Sequence, residues 1–262
     1  MNISNFQLMK KNNEKISMVT CYDYWSAYII SQSHIDAILV GDSLAMVMYG
    51  HPNTLPATVE MMSQHIRAVV KGASNKFIIG DMPFCSYRKD LTTSMNTVEK
   101  IMQAGAQAIK LEGADGNVKL ICHIVESGIP VMGHIGLTPQ SVHALGGFRM
   151  QGKTYAVAEK LKKDAETLSK VGCFALVLEC IPSELAKVIT DAISIPTIGI
   201  GAGPHTSGQV LVLQDLLGMN DQFKPKYLKK FLNGFDNIKN ALNMFDNEVK
   251  TTVYPHIKMH CY

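Results

Sequence analysis

The chain has 262 residues, 47% of them hydrophobic and 18% charged, with a formal net charge of +3. That length suits one (β/α)8 barrel of roughly 250 residues or two smaller domains, and no linker rich in Pro, Ser or charge interrupts it. The charge is too small and too dispersed for a nucleic-acid surface. The densest basic stretches, 160–163 and 224–230, alternate with apolar residues as surface helices do. The six cysteines form no CxxC pair and no zinc spacing, a usage that points to a reducing, cytoplasmic setting. Residues 1–15 are polar and lack the apolar core of a signal peptide, and no run approaches the ~18 apolar residues of a membrane helix.

In chain order, residues 3–11 read as a short amphipathic helix placed to cover the bottom of a barrel. Strands are expected at 16–21, 37–40, 76–80, 108–111, 130–133, 175–178, 196–200 and 210–213. Helices are expected between them at 23–33, 58–71, 92–104, up to about 128, 155–171 and 184–192. The strand candidates are short apolar runs without period-two alternation, which suits strands covered on both faces. Long loops at 44–57 and 136–154 follow strand ends and are more often functional than idle. Beyond the last strand, Leu228, Phe231, Phe235, Ile238, Leu242 and Phe245 recur at helical spacing, so 226–249 reads as helical, packed on the barrel or on a neighbouring subunit. The whole reads as a single α/β domain, 1–262, with 1–15 as an N-terminal helix and 221–262 as a C-terminal helical extension. Its seven or eight βα units favour the closed (β/α)8 barrel.

Four of the apolar runs end in acids: Asp42 after Asp36-Ala37-Ile38-Leu39-Val40-Gly41, Asp81 after Phe77-Ile78-Ile79-Gly80, Glu112 after Ala108-Ile109-Lys110-Leu111, and Glu179 after Ala175-Leu176-Val177-Leu178. Their spacing matches βα units of roughly 30–40 residues, and parallel strands bring their C-terminal ends to one rim. A carboxylate facing a core costs several kcal/mol unless paired. Each acid alone would be a helix cap or a buried polar residue; together, Asp42, Asp81 and Glu112 favour a hard cation such as Mg²⁺. Lys110 lies two residues before Glu112, on the same strand face, where it can meet an anionic substrate. His134 ends the fifth expected strand and is the histidine best placed for a site.

Two glycine motifs carry less. Gly147-Phe148-Arg149-Met150-Gln151-Gly152-Lys153-Thr154 matches GxxxxGK[ST], but no strand precedes it, so it reads as a chance match. Gly199-Ile200-Gly201-Ala202-Gly203 follows the seventh strand; it is either a phosphate-binding turn or a tight turn at the rim.

Several segments carry a resemblance: Val40-Gly41-Asp42-Ser43, Gly50-His51 with Thr54-Leu55-Pro56, Asp81-Met82-Pro83-Phe84, Lys110-Leu111-Glu112-Gly113, Gly133-His134-Ile135-Gly136-Leu137-Thr138-Pro139-Gln140-Ser141, Leu178-Glu179-Cys180 and Gly199-Ile200-Gly201-Ala202-Gly203. From about residue 3 to Tyr254-Pro255 the chain resembles the ketopantoate hydroxymethyltransferase family. The resemblance implies a (β/α)8 TIM barrel of the phosphoenolpyruvate/pyruvate class. It also implies a cytoplasmic transferase that moves a hydroxymethyl group from 5,10-methylenetetrahydrofolate to 3-methyl-2-oxobutanoate. The product would be 2-dehydropantoate, in the first step of pantothenate biosynthesis, by way of a Mg²⁺-stabilised enolate. By matching motif, Asp42, Asp81 and Glu112 would serve the metal, and Asp42, Ser43, Asp81 and Lys110 the keto acid. Glu179 would be the catalytic base, with His134 hydrogen-bonded to substrate oxygens. The implied partners are the keto acid, the folate and further copies of the chain in a homodecamer, with no nucleic acid and no membrane. Ala114-Asp115 and Ser207 depart from the common pattern without touching these residues. A lyase or phosphonopyruvate-type mutase on the same barrel would want a Lys-Lys-Cys-Gly-His type loop, which is absent; a non-catalytic barrel would have little reason to keep the four acids and Lys110.

Overall fold

A computed structural model describes residues 1–222 and 224–262; Phe223, within the expected extension 221–262, lies outside the described residues. The chain divides into two compact units, Met1–Leu211 and Val212–Tyr262.

The first unit begins with α1 (Ile3–Lys11) and then alternates strand and helix: β1 (Ile16–Thr20), α2 (Tyr24–Ser31), β2 (Ala37–Val40), α3 (Leu44–Val47), α4 (Val59–Gly72), β3 (Phe77–Asp81), α5 (Leu91–Gln103), β4 (Ala108–Lys110), α6 (Val118–Glu126), β5 (Val131–Gly136), α7 (Tyr155–Lys170), β6 (Ala175–Glu179), α8 (Ser183–Ala192), β7 (Thr197–Ile200) and β8 (Gly208–Leu211). The eight strands are parallel, run in sequence order, and close where β8 pairs with β1. This is the expected (β/α)8 barrel. The side chains of Asp23, Thr58, Asp90 and Thr154 accept from the amide three residues on and start α2, α4, α5 and α7, close to where the sequence places those helices.

The barrel interior follows from the period of two. Ile16 and Met18, Ala37 and Leu39, Phe77 and Ile79, Ala108, Met132, Ala175 and Val177, Ile198 and Val210 form one buried cluster that draws on every strand. Phe6 of α1 closes it from the strands' N-terminal ends, edge-on to Phe77 at 5.6 Å and to Phe174 at 5.3 Å. Lys10 on the same helix donates to the carbonyls of Thr190, Ile193 and Ile195 at 2.9, 2.6 and 2.8 Å. A cavity of about 380 Å³ beside it is lined by Lys10, Lys15, Asp191 and His205, at the end of the barrel away from the acids.

Two strands differ from the sequence reading by more than a residue. β5 runs on to Gly136, because its ladder with β6 continues through His134↔Val177 and Gly136↔Glu179; His134 is therefore inside the strand rather than at its end. β8 is 208–211, not 210–213, since the apolar run there straddles the strand's end and the start of α9 (Leu213–Leu216).

The second unit holds α9, α10 (Gly234–Lys250) and α11 (Ile257–His260). The helix expected from 226 begins only at Gly234. The amides of Phe231, Gly234 and Phe235 bond the carbonyls of Leu216, Leu217 and Gly218 at 2.8, 2.9 and 3.0 Å, which takes that stretch out of helical pairing. A Cβ on Gly234 would sit 2.5 Å from the Leu217 carbonyl, so the crossing needs glycine. Among the described residues no helix is long and apolar enough to cross a membrane.

Candidate active site

Each strand that contributes to the site does so by one further inward step. Ile79 is followed on its face by Asp81, Ala108 by Lys110, Met132 by His134, and Val177 by Glu179. Asp42 lies in the turn after β2 and Glu112 just beyond β4. The sequence reading thus placed these residues on one rim, and the structure brings them together. Asp42, Asp81, Lys110, Glu112 and His134 are all at most 4% exposed, whereas the Glu179 side chain keeps 17%.

The contacts form a continuous chain. The Asp42 amide donates to Asp81 Oδ2 at 3.0 Å, and Lys110 Nζ lies 3.1 Å from Asp81 Oδ1. Lys110 Nζ is also 3.3 Å from His134 Nδ1, which is 3.6 Å from Glu112 Oε1. On its other side, His134 Nε2 is 3.3 Å from Glu179 Oε2. Ser43 Oγ is 2.7 Å from the buried Tyr22 hydroxyl. Gly41 lets the turn close: a Cβ there would lie 2.8 Å from Ser43 Oγ and 3.5 Å from Asp81 Oδ2.

Burial and like charge dominate the electrostatics. Burial lifts the Asp42 carboxyl well above the usual range, and the charges of Asp81 and Glu112 lift it further. Burial raises Asp81 as well, against the pull of Lys110. Burial works against charge on Lys110, but Asp81, Glu112 and Asp42 outweigh it and hold the ammonium. For Glu112 burial is overcome by His134, Lys110 and the Gln140 amide, and the carboxyl is lowered. Burial and Lys110 oppose a charged His134, yet Glu112 and Glu179 push it up to about 9. Glu112 and Glu179 thus favour a protonated imidazole between them, with Lys110 Nζ beside its Nδ1. Four acidic side chains thus gather against one lysine and one histidine, so the site is short of cationic partners.

That shortage fits a divalent cation. Asp81 Oδ1 is buried and receives no aligned hydrogen bond among the described residues, despite its approach to Lys110. Every nearby carboxylate is a hard oxygen donor. Yet among the described residues no three of Asp, Glu, His and Cys converge closely enough to enclose a metal. The expected three-acid set is open: Glu112 is turned toward His134 and accepts from the Gln140 amide at 3.0 Å. Two carboxylates with free positions for water and substrate oxygens are what Mg²⁺ commonly uses.

Sequence reasoning missed the residues that hold these acids in place. Tyr87, Gln140 and Asn117 are buried around Glu112 and Asp42, and Asn117 Nδ2 binds the Glu112 and Gly113 carbonyls at 2.9 Å each. Arg88 pins the same loop through the carbonyls of Glu112 and Asp115. Gln140 stood inside the most distinctive motif; Tyr87, Arg88 and Asn117 carry no local signal. The GxxxxGK[ST] match is fed by no strand, since β5 ends at Gly136, and its Thr154 caps α7. At the 199–203 loop the glycines answer close approach: a Cβ on Gly203 would meet Ser183 Oγ at 2.3 Å, and among the described residues no helix starts between β7 and β8 to hold a phosphate.

Comparison with known proteins bears on the family and the fold. Residues 1–257 match the family model described as ketopantoate hydroxymethyltransferase. A Coxiella burnetii protein named 3-methyl-2-oxobutanoate hydroxymethyltransferase is 74% identical over 263 residues, covering 100% of this chain and 99% of its own. Proteins of the same name from Bdellovibrio bacteriovorus and Legionella pneumophila are 57% and 51% identical, covering 98% and 97% of this chain and 97% and 98% of their own. Among solved structures, a phosphoenolpyruvate phosphomutase from Streptomyces platensis subsp. rosaceus superposes with a TM-score of 0.62 at 10% identity, covering 95% of this chain and 99% of that one. A phosphonopyruvate hydrolase in complex with oxalate and Mg²⁺ gives 0.61 at 10% identity with the same coverage. At that identity the likeness is one of fold.

Proposed function

The chain belongs to the ketopantoate hydroxymethyltransferase family, and from that premise we propose that it transfers a hydroxymethyl group from 5,10-methylenetetrahydrofolate to 3-methyl-2-oxobutanoate, forming 2-dehydropantoate for pantothenate synthesis. The observation that carries this reading is the partition of the acids. Asp42 and Asp81 lie at one end of the contact chain and Glu179 at the other, with Lys110 and His134 between them. Glu179 alone keeps appreciable exposure, so one acid faces an incoming molecule while the others stay in the wall.

A cation such as Mg²⁺, held by Asp42 and Asp81 with Glu112 behind them, would supply Lewis acidity toward the keto acid's oxygens. Lys110 offsets the keto acid's carboxylate charge while remaining paired with Asp81. Glu179 takes the proton from the carbon next to the keto group, and that carbon bonds to the one-carbon unit as the unit's bonds to folate N5 and N10 break. Water supplies the hydroxyl oxygen, and the proton from carbon with the two from water end on N5, N10 and the new hydroxyl, leaving tetrahydrofolate. His134 lies between Glu112 and Glu179, 3.6 Å and 3.3 Å from their carboxylates, and its Nε2, buried without an aligned hydrogen-bond partner among the described residues, is the atom that would hydrogen-bond a substrate oxygen. Ser43, set by Tyr22, stands beside the Asp42 turn for a substrate oxygen. We also infer a cytosolic setting and assembly into a homodecamer, in keeping with the exposed Phe235, Ile238, Leu242 and Phe245 of α10; sedimentation velocity tests the assembly.

Proton NMR of 3-methyl-2-oxobutanoate in deuterated water, with protein and Mg²⁺, tests the reading. Loss of the signal of the proton next to the keto group, stopped by EDTA, is expected, followed by product on adding methylenetetrahydrofolate. Asp81→Ala should need much more Mg²⁺ for the same exchange rate. No exchange under any condition would overturn the assignment.

A further inference from the structure

The acids of the site are not held alike. Asp81 is paired with the Lys110 ammonium, and Glu112 faces the His134 ring. Among the described residues no cation lies within ion-pair distance of Asp42. Its side-chain partner is an uncharged amide, Gln140 Nε2, at 2.9 Å from Oδ2.

Gln140 sits in the single 3-10 turn Pro139–Ser141 beyond β5, and is 7% exposed. It touches three strand ends at once. Nε2 donates to Asp42 Oδ2 and to the Met82 carbonyl at 3.0 Å, while its backbone amide donates to Glu112 Oε2 at 3.0 Å. The orientation of the side-chain amide is determined by Tyr87. The Glu112 amide donates to the Tyr87 hydroxyl oxygen at 3.2 Å, and that hydroxyl donates to Gln140 Oε1 at 2.8 Å. With Oε1 committed as acceptor, both Nε2 hydrogens face acceptors. The flipped amide would set oxygen against a carboxylate and a carbonyl, and leave Tyr87 facing a donor.

We infer that Gln140, oriented by Tyr87, is the positioning residue that fixes the Asp42 carboxylate relative to Glu112 while leaving its charge uncompensated for a cation. A lysine or arginine could fix the same carboxylate, but would neutralise it. A neutral donor holds direction without consuming charge. Partners of this kind around ligating carboxylates set metal affinity, and removing them costs about 10- to 100-fold. The inference rests on the reading of Asp42 and Asp81 as a cation site.

The test is calorimetric binding of Mn²⁺, without keto acid or folate, to the full chain and to Gln140→Met, Tyr87→Phe and the double variant, with circular dichroism to confirm folding. Methionine keeps the length and apolar volume of the side chain but not its hydrogen bonds. Gln140→Met should weaken Mn²⁺ binding about 10- to 100-fold. Tyr87→Phe should weaken it less, and the double variant should be no weaker than Gln140→Met, because Tyr87 acts only through the amide. At saturating metal the keto acid's KM should return toward that of the unaltered chain, which a general structural lesion would not allow. Folded Gln140→Met with unaltered Mn²⁺ affinity overturns the inference and leaves the proposed function standing. Should Gln140→Met fail to fold, unaltered affinity in Tyr87→Phe overturns it in the same way. An unaltered chain that binds no Mn²⁺ removes the cation site, and the inference with it.

Discussion

The two ends of the barrel are built from the same strand faces and do opposite things. At the N-terminal ends the inward side chains are Phe77, Ala108, Met132 and Ala175, closed off by Phe6 of α1. Two to four residues further along the same face stand Asp81, Lys110, His134 and Glu179. The first end buries apolar surface and has no charged group in its core cluster. The second buries several charges, which oppose folding unless each has a partner. The difference teaches that the site is affordable only on a barrel whose other end is already stable. Changes at the bottom should therefore alter stability and spare chemistry, while those at the rim should do the reverse.

The largest expected effect is at the rim. Glu179→Gln removes the base but keeps the size and polarity of the side chain, and should lower turnover by about 10²–10⁴-fold, with keto acid binding and the thermal midpoint little changed. Steady-state kinetics beside calorimetry would show it; unchanged turnover removes Glu179 as the base. At the bottom, Phe6→Ala leaves a void against Phe77 and Phe174 and should cost about 3–5 kcal/mol. Urea unfolding reads that loss, and turnover per folded molecule should stay as it was. If turnover fell with it, the two ends would not be independent. Lys10→Met, a smaller change at the same end, strips the Thr190, Ile193 and Ile195 carbonyls of their charged donor. About 1.5–3 kcal/mol of stability should go, again read by urea. The smallest effect belongs to Thr58→Ala, which removes the cap of α4 from the Met61 amide and should cost about 1 kcal/mol. A larger loss there would mean that α4 governs the loop before it.

Much of this layout is legible in the residue order, because it is local. An apolar run followed by an acid marks a buried strand and its end, and a period of two says which residues share a face. Asp81, Lys110 and Glu179 continue the inward rows of their strands, so their convergence needed only parallel strands of similar length. The helix starts at Asp23, Thr58, Asp90 and Thr154 are equally local, each being a side chain bonded to an amide three residues away.

What the order of residues does not contain is pairing over long separations. The reach of β5 to Gly136 comes from its ladder with β6, so His134 meets Glu179 by barrel register rather than by any motif. The start of α10 at Gly234 was decided by hydrogen bonds to the 216–218 segment, although the apolar spacing continues upstream. Gln140 reaches Asp42 across 98 positions and Tyr87 across 53. Composition and periodicity thus determined the barrel, the rim and the acids upon it. Only the closed tertiary structure decided which neutral and charged partners hold each acid, because a buried carboxylate takes its partner from whatever the fold brings within hydrogen-bond or ion-pair reach.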